Sequence, residues 1–396
     1  MSIARTMLKK MIFYDSYRAY NGLNILTPVD GTGVWMIDMN GNFLNYWEMN
    51  YKPAGYTKLL PNGNILYSGK LDSNHSLDVP GSGGIIIEKD WNGKNIWEYT
   101  SNYLHDDFLR LKNGNTFVVK WCNIPNEIAK RIHCGYQKPE NCKEIWGDVL
   151  QEVDNKGRLV WQWVAHEHLD PNIDIGCPLC SRIAWPHINS IIMLQDGNIL
   201  LSLYKNNSLI IINKDSGDII WRWGMEELTH PYSLSLLDSG NVLLFDSGYH
   251  SKGIDIANSR ILEIVPYKGD IVWYFEENKA KHGLLFYSSS ISSCQKLPNA
   301  NVLVCEGNTG RIFEITEDGQ LVWEYMNDLP VSNASIIQPK YNKLFSAYRY
   351  GFDYSGLPGN KYNRQEEQSM PGTVQNQSND KTMEDNILKR LQQLGY

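Results

Sequence analysis

Short apolar runs that end at tight turns recur along most of the chain. In the first kind of unit, an apolar segment, a turn and a second apolar segment follow one another, as in residues 59–66. Asn-Gly and Asp-Gly pairs supply the positive φ that two-residue hairpins require, so each copy predicts a tight β-hairpin. The copies centre on Gly63, Gly114, Gly197, Gly240 and, in a weaker form, Ala300, and a degenerate sixth copy spans 333–350.

A second kind of hairpin alternates with the first and ends in a strand that carries a tryptophan. These tryptophans are Trp47, Trp97, Trp161, Trp221, Trp273 and Trp323. Their spacings are 50, 64, 60, 52 and 50 residues. A self-similar period of this size is typical of propellers and solenoids. Together the two kinds of hairpin predict six four-stranded units.

The two ends of the repeat region complement each other. The chain begins with a tryptophan hairpin, residues 33–49, and finishes with a turn hairpin, residues 333–350. If these half-units pair, the ring closes and leaves no long strand edge exposed. A solenoid would need no such match and would usually carry capping repeats. We therefore predict an all-β six-bladed β-propeller over residues 23–351, closed by the pairing of its N- and C-terminal hairpins.

Three segments lie outside the predicted propeller. Residues 1–22 form an N-terminal extension, and residues 352–380 are a flexible linker rich in Asn, Gln, Ser and Gly. Residues 381–396 are expected to form a short amphipathic helix, capped by Thr382, with an apolar stripe of Met383, Ile387, Leu391 and Leu394. This helix docks either on its own propeller or on a partner, which offers a route to an oligomer.

Charge and hydropathy narrow the classes of function. The net charge of −7, without basic runs, argues against binding to a nucleic-acid backbone. No apolar stretch approaches the roughly 18 residues that span a bilayer. Residues 11–13 are too short for the apolar core of a secretion signal. We expect a cytoplasmic protein, or a periplasmic one if a leader has been removed.

Three histidines occupy the same position in successive turn hairpins. His105, His187 and His230 each open an apolar run that reaches a turn nine or ten residues later. A single histidine at a strand end is usually a satisfied polar residue. Equivalent positions in a ring point at the same place, however, and the propeller fold does not require imidazole there. We therefore predict that the three side chains form one functional cluster at one mouth of the ring.

The histidine pattern leaves several chemistries open. Clustered imidazoles suppress one another's protonation, so one should be neutral at pH 7 and able to act as a nucleophile or base, while its neighbours stabilise an anion. Three neutral imidazoles would instead hold zinc or copper in a metal-dependent enzyme. A non-catalytic propeller that binds a partner through its face or its C-terminal helix is a third alternative.

The two longest insertions, residues 122–147 and 164–186, leave the rim that carries the histidines, so we expect both to overhang them. They contain five of the seven cysteines: Cys122, Cys134, Cys142, Cys177 and Cys180. Cys177 and Cys180 form a C-x-x-C motif, which alone is a weak signal for zinc or redox chemistry. The thiols have no special role, or form the disulfides Cys134–Cys142 and Cys177–Cys180, or share a metal with His133.

The histidine motifs resemble those of aryl sulfotransferases that use an aryl sulfate, and not a nucleotide, as donor. The likeness extends over about residues 23 to 350 and is most specific in His105–Asn115, Trp185–Ser190, Trp221–Gly224 and Phe245–Gly248. It implies a six-bladed propeller that transfers a sulfuryl group to a phenol by a ping-pong route. We accordingly expect small phenolic and aryl sulfate substrates, no cofactor and no resident metal.

The resemblance also implies roles for the three histidines. His230 matches the nucleophilic histidine, which carries the sulfuryl group transiently. His105 and His187 match the histidines that bind the sulfate oxygens and exchange a proton with the phenol. A phenol needs such a base and acid because its pKa is near 10.

Three further residues are expected to bind substrate. The family's sulfate-binding arginine falls on Tyr204 or Lys205 in this sequence. Lysine keeps the charge of arginine but loses its bidentate fork, and tyrosine keeps neither. Asn189, two residues after His187, is the third candidate.

Overall fold

The computed structural model describes residues 10–71, 79–136, 144–251, 258–277, 286–329 and 342–358. Nearly all regular structure in these ranges is β. The strands are β1 (Lys10–Tyr14), β2 (Leu23–Pro28), β3 (Gly33–Ile37), β4 (Phe43–Glu48), β5 (Lys52–Leu59), β6 (Ile65–Lys70), β7 (Gly84–Lys89), β8 (Asn95–Thr100), β9 (Leu104–Arg110), β10 (Thr116–Asn123), β11 (Trp146–Val153), β12 (Leu159–Val164), β13 (Ile188–Met193), β14 (Ile199–Leu203), β15 (Ser208–Ile212), β16 (Ile219–Trp223), β17 (Pro231–Leu236), β18 (Val242–Asp246), β19 (Arg260–Ile264), β20 (Ile271–Phe275), β21 (Ser293–Lys296), β22 (Val302–Glu306), β23 (Arg311–Ile315), β24 (Leu321–Met326) and β25 (Leu344–Tyr350). Two single-turn helices, α1 (Asn126–Ala129) and α2 (Ala165–His168), lie in the insertions, and a 3-10 turn covers Tyr204–Asn206.

The strands form six antiparallel sheets arranged as the blades of a propeller. Blades 1 to 4 are β5–β8, β9–β12, β13–β16 and β17–β20. In each of them the strands are adjacent in sequence order. Blade 5 contains β21–β24, and blade 6 contains β25, β2, β3 and β4. The first strand of every blade contacts the first strand of the next, and β25 contacts β5. These contacts close the ring, so the prediction of a six-bladed propeller is confirmed.

Both ends of the propeller meet in blade 6, but the division differs from the predicted one. The C-terminal part contributes β25 and the N-terminal part contributes three strands, with Leu26 opposite Ala347 where β2 pairs with β25. The sequence pattern missed β2, which is fully buried and pairs with β3 as well as with β25. Residues 333–341 of the predicted last hairpin lie outside the described residues. Within the predicted N-terminal extension, β1 adds a fifth strand to blade 5 beside β24.

The predicted turns adopt the left-handed backbone that their sequences suggested. Gly114 and Gly197 have φ values of +88° and +86°, and a Cβ added to either would meet no atom within 4 Å. Glycine is therefore favoured there by the backbone conformation and not by crowding. The weaker copy has Ala300 in the same region, with a φ of +69°.

The tryptophan period arises from contacts between blades. An indole N–H of the fourth strand, counted outward from the centre of the ring, donates to a backbone carbonyl of the following blade in five of the six blades. The bonds are Trp47 to Asp90 at 3.2 Å, Trp97 to Asn155 at 2.9 Å, Trp163 to Gly217 at 2.9 Å, Trp273 to Glu317 at 2.8 Å and Trp323 to Met39 at 2.8 Å. In blade 2 the donor is Trp163, two residues after the tryptophan of the sequence period. Each indole thus packs between two blades, and its N–H group is hydrogen-bonded.

The two insertions pack against each other at the rim where the first strands begin. Isolated bridges join Tyr136 to Ser181 and Trp146 to Ala184. This arrangement brings the C-x-x-C segment over the ring mouth. Within the described part of the chain, no helix is long and apolar enough to cross a bilayer. The predicted helix 381–396 and most of the predicted linker, beyond Pro358, lie outside the described residues.

Candidate functional site

The three predicted histidines all lie at the start of first strands, on the same rim. His187 and His230 directly precede β13 and β17 and have φ values of +69° and +56°. Non-glycine residues seldom occupy this left-handed region, so surrounding contacts must hold them there. The amide of His187 donates to Asp148 Oδ2 at 2.8 Å, and the amide of His230 donates to Asn207 Oδ1 at 3.0 Å.

His105 is enclosed by two carboxylates. Its Nδ1 lies 3.0 Å from Asp106 Oδ2, and its Nε2 lies 3.0 Å from Asp148 Oδ1. The second contact is an ion pair without the alignment of a full hydrogen bond. Burial alone would lower the pKa of His105, but the two carboxylates outweigh it and raise that pKa. His105 therefore favours the imidazolium form, with both ring nitrogens occupied by protein carboxylates.

Asp106 joins His105 to His187. The same Oδ2 that faces His105 lies 2.7 Å from His187 Nε2. Burial would raise the pKa of Asp106, yet the charges of the two histidines lower it, so the carboxylate stays ionised. His187 Nδ1 is buried and has no hydrogen-bond partner among the described residues. A neutral His187 that donates from Nε2 to Asp106 consequently leaves the Nδ1 lone pair free.

Asp148 fixes both the first histidine and the backbone of the second. Its side chain is fully buried. Its two oxygens accept the amide hydrogens of His187 and Ile188, at 2.8 and 3.1 Å. Because Asp148 lies on β11 of blade 2 while His187 begins blade 3, this one carboxylate couples two blades.

His230 stands in a second group with different partners. Its Nδ1 lies 2.8 Å from the carbonyl oxygen of Tyr204, and a carbonyl can only accept, so Nδ1 carries the proton. The remaining lone pair is then on Nε2, which lies 3.7 Å from the sulfur of Cys180. The Nδ1 of His250 lies 3.4 Å from the sulfur of Cys177 and 3.7 Å from that of Cys180. Both thiols are free.

The two thiols of this group are not equivalent. The hydrogen bond from Cys180 lowers the pKa of Cys177, and the amide of Leu179 and the two histidines contribute to the same effect. The same Cys177–Cys180 contact raises the pKa of Cys180. Cys177 is therefore the thiol of the pair that loses its proton more readily.

Tyr204 separates the two histidine groups. Its ring centroid is 5.5 Å from that of His187 and 4.4 Å from that of His230. The centroids of His105 and His187 are 5.9 Å apart. The rim therefore holds two adjacent groups. The carboxylate-containing group consists of His105, Asp106, Asp148 and His187, and the thiol-containing group consists of His230, His250, Cys177 and Cys180. The sequence suggested one cluster of three imidazoles.

The other candidate residues contact the backbone of the site. Lys205 is buried, and its Nζ donates to the carbonyl of Ser181 at 2.7 Å. Burial lowers the pKa of Lys205. The side-chain Nδ2 of Asn189 donates to the carbonyl of Pro231 at 3.2 Å. Of the two positions that align with the family's arginine, Tyr204 has its side chain between the histidines and Lys205 points into the insertion.

Sequence reasoning missed three partners of the histidine groups. Asp106 adjoins His105 in the chain, and His250 follows the Phe245–Gly248 stretch by two residues, so both had a local signal. Asp148 had none, because it reaches the site from the third strand of its blade as counted outward from β9. The C-x-x-C pair was recognised, but its histidine neighbours are His230 and His250, not His133. Cys142 lies outside the described residues.

Comparison with known proteins identifies the family to which the sequence is similar. The sequence model of the arylsulfotransferase (ASST) family matches residues 4–239, which include His105, His187 and His230. Comparison with curated proteins gives no match. A solved protein of unknown function from Bacteroides caccae is similar in structure, with a TM-score of 0.54, 14% identity, and coverage of 83% of this chain and 98% of that chain. Virginiamycin B lyase from Staphylococcus aureus gives a TM-score of 0.43 at 12% identity, covering 81% of this chain and 88% of that one. At such identities the structural likeness concerns the fold alone.

Proposed function

Since the chain belongs to the arylsulfotransferase family, we propose that it transfers a sulfuryl group from an aryl sulfate to a phenol, without a nucleotide, through a sulfohistidine at His230. The observation that carries this proposal is the bond between His230 Nδ1 and the Tyr204 carbonyl. It fixes the tautomer whose Nε2 is nucleophilic. A neutral imidazole held in one orientation is suited to covalent catalysis.

The first half of the reaction loads the histidine. The Nε2 lone pair of His230 attacks the sulfur of the aryl sulfate, so an N–S bond forms and the bond between sulfur and the aryl oxygen breaks. The electron pair of that bond leaves with the phenolate. Protonated His187 gives its Nδ1 proton to the phenolate, which departs as a phenol.

The second half regenerates the enzyme. Neutral His187 removes the proton of an acceptor phenol at Nδ1, and the phenolate oxygen attacks the sulfur. The N–S bond breaks, and its electron pair returns to Nε2 of His230. Asp106, 2.7 Å from His187 Nε2, stabilises the imidazolium that His187 becomes in each cycle.

His105 acts in this scheme as a positioning residue. The family resemblance gave it a role in binding sulfate oxygens, but both of its ring nitrogens face carboxylates. It holds Asp106 in the place where that carboxylate reaches His187. Asn189 has a comparable role, because its bond to the Pro231 carbonyl anchors the residue that follows His230.

Binding of the sulfate group falls to the residues between the two histidine groups. The ring of Tyr204 contacts both His187 and His230. Of the two residues that align with the family's sulfate-binding arginine, Tyr204 is therefore the one that faces the reacting group. Lys205 keeps a positive charge nearby while its amine is bonded to the insertion. Without the bidentate fork of arginine, we expect weaker binding of the donor and a high KM.

The test is turnover of a chromogenic aryl sulfate with a phenol acceptor. His230→Ala should abolish transfer. His133→Ala is the matched control, because that exposed histidine lies in an insertion outside both groups, and it should keep full activity. Transfer that survives in folded His230→Ala protein would refute the proposal.

A further inference from the structure

Four potential metal ligands meet in the thiol-containing group of residues on the rim. Cys177 and Cys180 come from the insertion before blade 3, His230 from the start of β17, and His250 from the loop that follows β18. One ligand atom of each lies within 4.8 Å of all the others. Because His250 is outside the range that the family model matches, this combination does not follow from the family assignment.

The geometry points to a tetrahedral site for one transition-metal ion of the zinc class, bound by the Cys177 and Cys180 sulfurs, His230 Nε2 and His250 Nδ1. Bond lengths of about 2.3 Å from zinc to sulfur and about 2.0–2.1 Å to nitrogen put a sulfur and a nitrogen ligand roughly 3.6 Å apart in a tetrahedron. Three of the four sulfur–nitrogen pairs are 3.4 Å (Cys177–His250), 3.7 Å (Cys180–His230) and 3.7 Å (Cys180–His250) apart. These three pairs thus already have nearly the separation that such an ion imposes, and the other pairs lie within 4.8 Å.

The surroundings orient these ligands. His230 donates from Nδ1 to the carbonyl of Tyr204, the kind of outer contact that directs the other ring nitrogen of a histidine at a metal. His250 stacks on Tyr249 with ring centroids 3.7 Å apart, which restricts its rotation. The backbone of the C-x-x-C turn is held too, since the amide of Cys177 donates to the carbonyl of Lys205 at 2.6 Å and its carbonyl accepts from Gly135 at 3.1 Å.

The chemistry of the ligands selects the class of metal. Thiolates and imidazoles favour zinc or copper over magnesium and calcium, which prefer oxygen. Two thiolates and two neutral imidazoles also give an uncharged complex with a divalent ion, which suits a buried place. The group around His105 is less suited to a metal ion. Both ring nitrogens of His105 face carboxylates, which favour a proton on each nitrogen and leave no lone pair for a metal.

This site has a consequence for catalysis that depends on the proposed function. The metal and the sulfuryl group require the same lone pair, that of His230 Nε2. An ion held by four protein ligands therefore blocks sulfohistidine formation. Metal-loaded protein should be inactive in transfer, and chelation of the metal should restore activity.

Metal binding is tested first, on the full-length protein under reducing conditions. Reduced protein incubated with zinc and desalted should retain one zinc per chain by elemental analysis. Cobalt should give the absorption of a tetrahedral ion with thiolate charge transfer. The double variant Cys177→Ser/Cys180→Ser should lose both signals, and so should His250→Ala, a milder change in a half-buried loop residue.

A matched control tests whether any cysteine–histidine contact would give the same result. Cys122, in the 122–147 insertion, lies 3.8 Å from His166 Nδ1, and no third ligand joins this pair among the described residues. Cys122→Ser should keep one zinc per chain and the cobalt spectrum. A wild-type protein that retains no zinc, or a double variant that retains all of it, overturns the metal site.

Transfer assays with added zinc or chelator separate this inference from the proposed function. Metal binding with transfer that appears only after chelation supports both. Metal binding without transfer under any condition leaves the site standing and removes the sulfohistidine. Transfer by a protein that binds no zinc overturns the site and leaves the function intact, and transfer unaffected by one bound zinc overturns the competition.

Discussion

The two histidine groups of the rim show that a repeat position does not decide the chemistry of its residue. His187 and His230 begin equivalent strands and share a left-handed backbone, yet one pairs with a carboxylate at 2.7 Å and the other faces a thiol at 3.7 Å. Carboxylates hold protons on an imidazole. A carbonyl at Nδ1 and sulfur at Nε2 leave a lone pair ready for an electrophile or a metal. The first group is therefore suited to moving protons, and the second to forming bonds.

Removing the charge of Asp106 tests the proton-transfer half of this comparison and should have the largest effect. Asp106→Asn keeps the side-chain shape but no longer stabilises the His187 imidazolium. We expect kcat to fall by about 10²- to 10⁴-fold, the usual contribution of general acid–base catalysis. The pH profile of kcat should change as well, because the imidazolium formed in each cycle loses the charge of its neighbour. Asp215→Asn, an exposed change, should alter neither, and an unchanged pH profile in Asp106→Asn would separate Asp106 from catalysis.

Asp148 should matter for stability more than any surface charge. Asp148→Ala leaves His105 without its second carboxylate and two buried amides without an acceptor. We expect the free energy of unfolding to fall by about 3–5 kcal/mol, as when one partner of a buried ion pair is removed. Denaturant titration measures this loss. Lys130→Ala, which breaks an exposed ion pair with Glu127, should leave stability unchanged.

The pH dependence of stability gives a smaller and more specific test. The folded-state pKa of His105 is above its unfolded value, so its pairing contributes most below about pH 6.5 and is lost as the pH rises through the folded-state pKa. The stability difference between wild type and His105→Gln should thus be largest near pH 6 and shrink toward pH 9. A difference that grows with pH would show that His105 is neutral in the folded protein.

The fold was predictable because most repeats carry the same residues at the turn and at the contact with the next blade. Positive φ at the turns explains glycines such as Gly114, and contacts between blades explain tryptophans such as Trp323. The strand β2 was not predicted, and its pairing with β25, more than 300 residues away in the chain, depends on tertiary structure. The pairing of β1 with blade 5 likewise depends on tertiary structure alone.

The site was predictable only as far as the repeat extends. The histidines of β9, β13 and β17 were found because they recur, and the overhang of the C-x-x-C insertion follows from the side of the ring it leaves. Their partners do not recur. Asp148 reaches the site from a different strand and His250 from a loop, so no period or spacing connects either one with the histidines.

Locating the sulfuryl group on the protein tests the central claim most directly. Chelated, reduced enzyme is incubated with an aryl sulfate in the absence of acceptor, digested and mapped by tandem mass spectrometry. We predict one sulfuryl adduct, on His230, which disappears when a phenol is added and never forms in His230→Ala. An adduct on His187 or Tyr204, or full turnover with no adduct on His230, would contradict the assignment of bond formation to the thiol-flanked histidine.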